Sequence, residues 1–386
     1  MATNKETPPA LVEVPKRLQS LDALRGFVMF WIIGGGALAI QLAKATDCQP
    51  FIWLGGQMEH PAWNGFAFWD AIFPTFLFAA GAALPFSSLR RVAEGKTTRV
   101  REFLVGAKRA LILVLLGLVI NGVLRGNWGE HLHNVRFGSV LGRIGIAWFL
   151  ALAISLVFGL RGRLIWFVGL LLGYWAAMKL IPVPGVGAGN LDQGTNLADY
   201  LDQLLMPGKF YRGNHDPEGL FSTIPAIGTA LLGVLTGDFL RSSTKSAAAK
   251  SCLLVLAGVV SIGIALAWNQ VFPINKNLWS SSFVLMAGGL SLILFGFFHW
   301  LIEARGWTAL AFFFIVIGMN AITIYLATEG MVDFGHTARF LFNGAINGSL
   351  AADAQPWRDL LLTAGTIAVE WFCLWFLWRK KVFIRV

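Results

Sequence analysis

His60 lies in the stretch Glu59-His60-Pro61-Ala62-Trp63-Asn64-Gly65, just before a long apolar run, and Asp70 follows a short way inside that run. An imidazole serves as general base or nucleophile near neutral pH. A carboxylate that accepts its other ring N–H orients it, as the third member of a triad does. Pro61 and Gly65 favour a turn, and Trp63 suits an anchor at a membrane interface. A lone carboxylate at the entry of a membrane helix must be paired, protonated or facing water. His60 and Asp70 are therefore the candidate catalytic pair. The plainer alternatives are a surface-loop histidine and an ion pair between helices.

Other residues could support such a pair. Asn275-Lys276-Asn277-Leu278-Trp279 is a hydrogen-bonding cluster suited to a polyol or a carbonyl. Its plainer reading is a helix cap followed by an interfacial tryptophan. His215-Asp216-Pro217-Glu218-Gly219 opens another apolar run. Acidic residues and proline suit a helix start, yet Asp216 or Glu218 could also hold an amine or a sugar hydroxyl. A metal site would need third and fourth ligands at recognisable spacing, and the sequence offers none.

Asp22 and Arg25 share a helix face, as a local ion pair or with Arg25 meeting an anionic ligand. Lys108 and Arg109 begin a later run on the same side and could join it. Arg136 reads as interfacial, whereas Arg143 lies deeper and needs a carboxylate or phosphate partner. Asn320, after Gly318-Met319, reads as helix glue or a pore-lining group. Gly34-Gly35-Gly36 weakens its helix by about 1 kcal/mol per residue and permits close approach or a break. It is not a phosphate loop, since no strand precedes it and no Lys-Ser/Thr follows.

The elements that carry these residues are apolar helices. Of 386 residues, 56% are hydrophobic and 13% charged, with a mean hydropathy of +0.64. A soluble chain of this length needs more charge to cover its surface. Ten runs approach the ~20 residues that span a bilayer: 21–44, 66–87, 103–125, 138–159, 163–182, 219–242, 248–268, 280–302, 308–328 and 357–378. The stretch 334–348 is too short and polar to span and reads as re-entrant or interfacial. The net charge of +10 resides in short loops, among them 88–102 with Arg90, Arg91, Lys96, Arg99 and Arg101. This is the positive-inside pattern and argues against a nucleic-acid surface. Every second loop is basic, so these loops and both termini are expected to be cytoplasmic.

The longer opposite loops hold His60, His131, His133, His215 and His336, which implies chemistry on the outer side. Cys48, Cys252 and Cys373 form no paired motif. The first run follows Lys16-Arg17 and is too long for a signal segment, so it reads as an uncleaved span. The expected fold is all-α and polytopic, with about ten transmembrane helices. A cytoplasmic tail (1–20) precedes one membrane domain (21–386).

Together these stretches resemble the heparan-alpha-glucosaminide N-acetyltransferase family of membrane acyltransferases, including its bacterial relatives. The resemblance runs from Arg17-Leu18-Gln19-Ser20-Leu21-Asp22-Ala23-Leu24-Arg25-Gly26 through Gly34-Gly35-Gly36, His60 to Pro74, and Val135-Arg136 to Gly145. It continues through Asp216-Pro217-Glu218-Gly219 and Pro273 to Trp279, ending at Gly318-Met319-Asn320. One departure is Ile32-Ile33, where family members can carry Asn-Tyr.

The resemblance implies transfer of an acetyl group from cytosolic acetyl-CoA to a glucosamine-type amine across the membrane, with His60 catalytic. On that expectation Asp70 orients His60, and Asn64, Asn275, Lys276 and Asn277 face the sugar or the developing oxyanion. Asp216 or Glu218 holds the acceptor. Arg25, Lys108, Arg109, Arg143 and Asn320 are the candidates for holding CoA, with no metal. The partners are an amino sugar or glycan acceptor, CoA and the lipid bilayer, in a homodimer of a bacterial inner membrane. The rival expectation is an N-acetylglucosamine permease, which an inverted repeat would favour; none is visible in the sequence.

Overall fold

A computed structural model describes residues 18–124, 134–350 and 354–384. His131 and His133 lie outside the described residues, as do residues 1–17 of the expected tail. Among the described residues nine helices are long and apolar enough to span: Gln19–Thr46, Phe68–Ala93, Arg99–Ile120, Val140–Val157, Leu160–Leu180, Thr223–Ser242, Ala247–Trp268, Ser281–Ala304 and Gln355–Arg379. A tenth is broken, with Thr308–Met319 and Ala321–Glu329 meeting at 60°. The ten apolar runs of the sequence are these ten segments, and the chain is an all-α polytopic membrane protein. Gln19 and Ser20 already belong to the first helix rather than to a tail. The stretch after the ninth span forms its own helix, Phe334–Ser349, packed on the tenth.

The second, sixth and eighth spans are the most buried and form the centre of the bundle. The third, fifth, seventh and tenth turn most of their surface outward. Leu111, Leu115, Ile165, Leu172, Val260 and Ile264 are exposed there, as lipid-facing positions require. Association of spans in lipid gains little from hydrophobicity and depends on close packing. Small residues supply it. A Cβ on Gly26 would overlap the Phe314 carbonyl, and one on Gly318 the Asp22 carbonyl, so the first and ninth spans touch backbone to backbone. Gly81 and Gly233 do the same between the second and sixth spans, against Ala230 and Phe78. Thr75 and Ser291 add a hydroxyl pair at 2.8 Å between the second and eighth spans.

Two irregular spans lie next to functional candidates. The first passes through a wide π turn at Trp31–Gly35, where the glycines admit close neighbours. Gly34 abuts Ile367 of the tenth span and Gly36 abuts Trp69 of the second. The ninth breaks at Asn320, whose side chain clamps the C-terminal segment. Its Nδ2 donates to Val382 O at 3.1 Å, and its Oδ1 accepts from Ile384 N–H at 3.1 Å.

Gly318→Leu forces a side chain into the Asp22 carbonyl. Overpacking of this kind should cost roughly 1–3 kcal/mol, read as a lower thermal midpoint of the detergent-solubilised protein. Gly263→Ala, where a Cβ meets nothing within 4 Å, should leave the midpoint unchanged or slightly raised.

Candidate active site

The loop that carries His60 is pinned by local groups where it enters the second span and by distant loops at Trp63, Asn64 and Gly65. A helix start leaves its first N–H groups without partners, and in a membrane protein these must be satisfied. Here Gln57 Oε1 accepts from Phe68 N–H at 3.1 Å and Gln57 O from Trp69 N–H at 3.0 Å. Asp70 Oδ2 accepts from Ala67 N–H at 3.0 Å. Gly65, at φ 130°, turns the chain so that its N–H reaches Ile274 O at 2.9 Å. Trp63 Nε1 donates to Leu191 O at 3.0 Å, and Asn275 Nδ2 donates to Asn64 Oδ1 at 3.0 Å.

Asp70 turns its other oxygen to the histidine. Nδ1–H of His60 donates to Asp70 Oδ1 at 2.6 Å. The Asp70 side chain is 1% exposed and that of His60 is 41% exposed. The carboxylate is thus sealed while the imidazole is reachable. With Nδ1 occupied, the Nε2 lone pair is the reactive position. It faces Lys276 Nζ at 2.8 Å. Burial draws the Lys276 ammonium below the ordinary lysine range, the carboxylates of Glu218 and Asp70 oppose that, and Arg143 and Arg212 reinforce it. Asp70, His60 and Lys276 form one hydrogen-bonded line from the interior to an open face.

The loops around this line fold into an ionic cap. Arg136 grips Asp216 through two bonds, Nε to Oδ2 at 2.7 Å and Nη2 to Oδ1 at 2.6 Å. Its Nη2 also donates to Glu218 Oε2. Burial alone would lower the Arg136 pKa, but the two carboxylates outweigh it and hold the guanidinium charged. Arg136 is therefore not an interfacial cation but the partner of both acids. Asp216 is saturated, accepting also from Glu218 N–H at 2.9 Å and Tyr211 N–H at 3.3 Å.

Arg143 is buried in the same cap. Its Nη2 donates to Gly219 O at 3.0 Å and to Ser222 Oγ, and its guanidinium lies 5.0 Å from the Trp279 ring centre. Trp279 is fully buried rather than interfacial, in a left-handed backbone conformation at φ 49°. Its Nε1 donates to Thr229 Oγ1 at 3.1 Å.

Hydrogen bonds thus bring together five of the expected residues: Asp70, His60 and Lys276 in one line, and Asn64 with Asn275 joining their two loops. Glu218 is near enough to act on Lys276 electrostatically. Asn277 carries no side-chain hydrogen bond among the described residues.

The expected CoA-binding set does not converge. Arg25 Nη2 donates to Ala79 O at 3.3 Å, and Nη1 lies 3.9 Å from Asp22 Oδ1. Ala79 is about 14 Å along the second span from Asp70, at 1.5 Å rise per residue. Arg109 stacks 4.7 Å from the Trp148 ring centre, and Lys108 is exposed. The third span that carries both packs on the fourth, while the first packs on the ninth, second and eighth. Arg143 belongs to the ionic cap and Asn320 to the tail clamp.

A second histidine–carboxylate pair escapes a reading of the sequence. His215 Nδ1 meets Asp199 Oδ1 at 2.5 Å, both buried, and the Trp63 ring stands edge-on to His215 at 5.1 Å. Asp199 lies in the first turn of a short helix, Leu197–Leu205, between the fifth and sixth spans, where an acidic residue reads as an ordinary helix start. Neighbouring Asp202 accepts from Phe221 N–H at 2.9 Å. Burial pushes its pKa up to about 6, against the Phe221 bond and the Arg143 charge.

The fold and site define a polytopic membrane protein that presents an oriented histidine and a lysine at one end of its helix bundle. Over residues 17–263 the chain matches the family described as heparan-alpha-glucosaminide N-acetyltransferase, catalytic, and it belongs to that family. It is 26% identical to the heparan-alpha-glucosaminide N-acetyltransferase of Homo sapiens over 440 aligned residues, covering 97% of this chain and 61% of the relative. The Mus musculus protein of the same name is 26% identical over 433 residues, covering 96% and 60%. The chain spans about three-fifths of the length of these relatives.

The cap predicts a pH effect. Asp202 binds its proton more tightly when folded than at its ordinary 3.8. Its contribution to stability therefore falls as pH rises from about 4 through about 6, by roughly 2–3 kcal/mol at most. The stability difference between Asp202→Asn and wild type should grow in favour of Asn across that window, measured by denaturant unfolding of the solubilised protein.

Proposed function

We propose that this chain is a transmembrane acetyltransferase that moves an acetyl group from acetyl-CoA to the amine of a glucosamine-type sugar. The observation that carries this reading is the line Asp70–His60–Lys276, with its reactive nitrogen on an open face. Family membership and the names of the relatives support it. Supply of acetyl-CoA from the cytoplasm and of the sugar from the opposite side is what the resemblance implies, and the alternation of loop charge supports it. A bacterial inner membrane and a homodimer are the setting that the resemblance suggests.

In this mechanism Asp70 holds Nδ1–H, so that His60 Nε2 takes a proton from the sugar ammonium. The freed amine attacks the thioester carbonyl. Lys276 meets the oxyanion of the tetrahedral intermediate, near where it now meets Nε2. The C–S bond then breaks, the proton held by His60 passes to the departing thiolate, and the freed Nε2 takes the second proton from the acylated nitrogen and releases it to solvent. The products are the N-acetylated sugar, CoA and one proton. Asn64 and Asn275 hold the loop of His60 against the loop of Lys276, which fixes their separation. Asn277 and Glu218 remain to contact the sugar.

Purified protein incubated with labelled acetyl-CoA and glucosamine should form labelled N-acetylglucosamine. His60→Ala should lower the rate by about 10³-fold and Lys276→Met by about 10²-fold. Absence of transfer in wild type, together with uptake of N-acetylglucosamine by vesicles lacking CoA, would replace the enzyme with a permease.

A further inference from the structure

A cavity of about 630 Å³ lies between the bend of the first span, the end of the ninth and the tenth. Its polar lining is Thr328, Glu329, Asp333, Thr366 and Glu370. Exposure falls steeply along the three acids. The Asp333 side chain is 70% exposed, Glu329 is exposed, and Glu370 is 2% exposed. Glu370 lies about 22 Å from the Gln355 end of the tenth span and about 14 Å from the Arg379 end, at 1.5 Å rise per residue. The cavity thus leads from a surface aspartate to a carboxyl at membrane depth.

Glu370 has no partner for a charge. Its Oε2 is sealed and makes no hydrogen bond, and no lysine, arginine or histidine pairs with it among the described residues. The elements packed on the tenth span do not supply one. Thr308–Met319 of the ninth span holds no ionisable residue, and the second half of that span brings only Tyr325 and Glu329. The helix Phe334–Ser349 brings His336 and Arg339, both exposed, and Asp333 at its cap. Asp333 accepts from His336 N–H at 2.7 Å and lies 3.6 Å from Arg339. Lys44 of the first span is exposed in the last turn of its helix. On its own span Cys373 is about one turn from Glu370, and Arg358 and Asp359 are about three turns away. An unpaired charge in such a place is strongly disfavoured, and a buried carboxyl without a cation takes up a proton instead. A proton is the one cation that a single carboxyl holds without further ligands. Thr366 Oγ1 donates to Leu362 O at 2.9 Å and Thr328 Oγ1 to Ile324 O at 3.0 Å, which leaves both hydroxyl oxygens as acceptors for water or an acid proton. A polar cavity of this size has room for water.

We propose that Glu370 is an intramembrane proton-binding site, loaded and emptied through this cavity from the surface at Asp333. Loading neutralises the carboxylate with one proton from cavity water, and unloading returns that proton; no other bond changes. The site does not depend on the acetyl-transfer reading.

The purified full chain in lipid is compared with Glu370→Gln by infrared difference spectroscopy. Wild type at neutral pH should show the carbonyl band of a protonated carboxyl, and Glu370→Gln should lack it. The band should shift within minutes of transfer to deuterium oxide, because the cavity admits water. A hydrophobic carbodiimide attacks carboxyls only in their acid form. It should modify Glu370 at neutral pH, as located by peptide mass spectrometry, and about tenfold less at strongly alkaline pH. Replacing choline chloride by sodium or potassium chloride should leave that modification unchanged. No band and no modification at neutral pH overturn the proposal. Protection by sodium or potassium also overturns it and assigns a metal cation instead. A band that does not shift in deuterium oxide overturns the cavity as the route. Should Glu370→Gln fail to fold, the modification of wild type decides alone. None of these readouts uses acetyl-CoA, so their failure leaves the transferase reading untouched, and a chain without transferase activity leaves this site standing.

Discussion

One buried carboxylate ties this fold to its chemistry. Asp70 is almost wholly removed from solvent, so each of its oxygens needs a donor. One oxygen takes Ala67 N–H and thereby caps the second span; the other takes the His60 ring. The helix N-terminus adds a favourable field for the negative charge. The second span is among the most buried of the bundle. The orientation of His60 is therefore referred to the centre of the protein, through a single side chain rather than through a flexible loop.

The bundle is built to make that reference rigid. Glycine contacts bring backbones together where lipid supplies no hydrophobic drive between spans. On the end that bears His60, polar residues substitute for apolar packing. Arg136 neutralises Asp216 and Glu218, and Arg143 braces Gly219 and Ser222 against Trp279. Buried ions of this kind add little net stability compared with apolar packing, but removing one partner is costly. Their effect is to fix where loops lie, and so to hold Lys276 opposite His60. The buried His215–Asp199 pair, touching Trp63, extends the same bracing behind the loop of His60.

The two irregular spans explain how polar groups are tolerated at membrane depth. Non-helical backbone survives there only where protein or a cavity receives it. The π turn of the first span faces the acidic cavity through Ile32 and Ile33. The break of the ninth span places Asn320 on the C-terminal segment and sends its second half toward Glu329. Bends in both spans thus border one cavity.

Much of this was legible in residues alone. Hydropathy specified the ten spans, because a bilayer demands a fixed length of apolar helix. Asp70 is the third residue of its helix and His60 lies in the preceding turn, so their pairing was one of two readings the residues allowed, because both lie within a short local stretch. Partners distant in the chain were not legible. Arg136 with Asp216, Asp199 with His215, Lys276 with His60, and the scattering of Arg25, Lys108 and Arg109 all depend on which spans are neighbours. Apolar faces of similar composition do not encode that choice. The sequence by itself determined the spans, the alternation of loop charge and the closeness of His60 to Asp70 along the chain. Only the tertiary structure decided which loops meet above them, because backbone contacts at glycines, rather than hydropathy, select the neighbours of each helix.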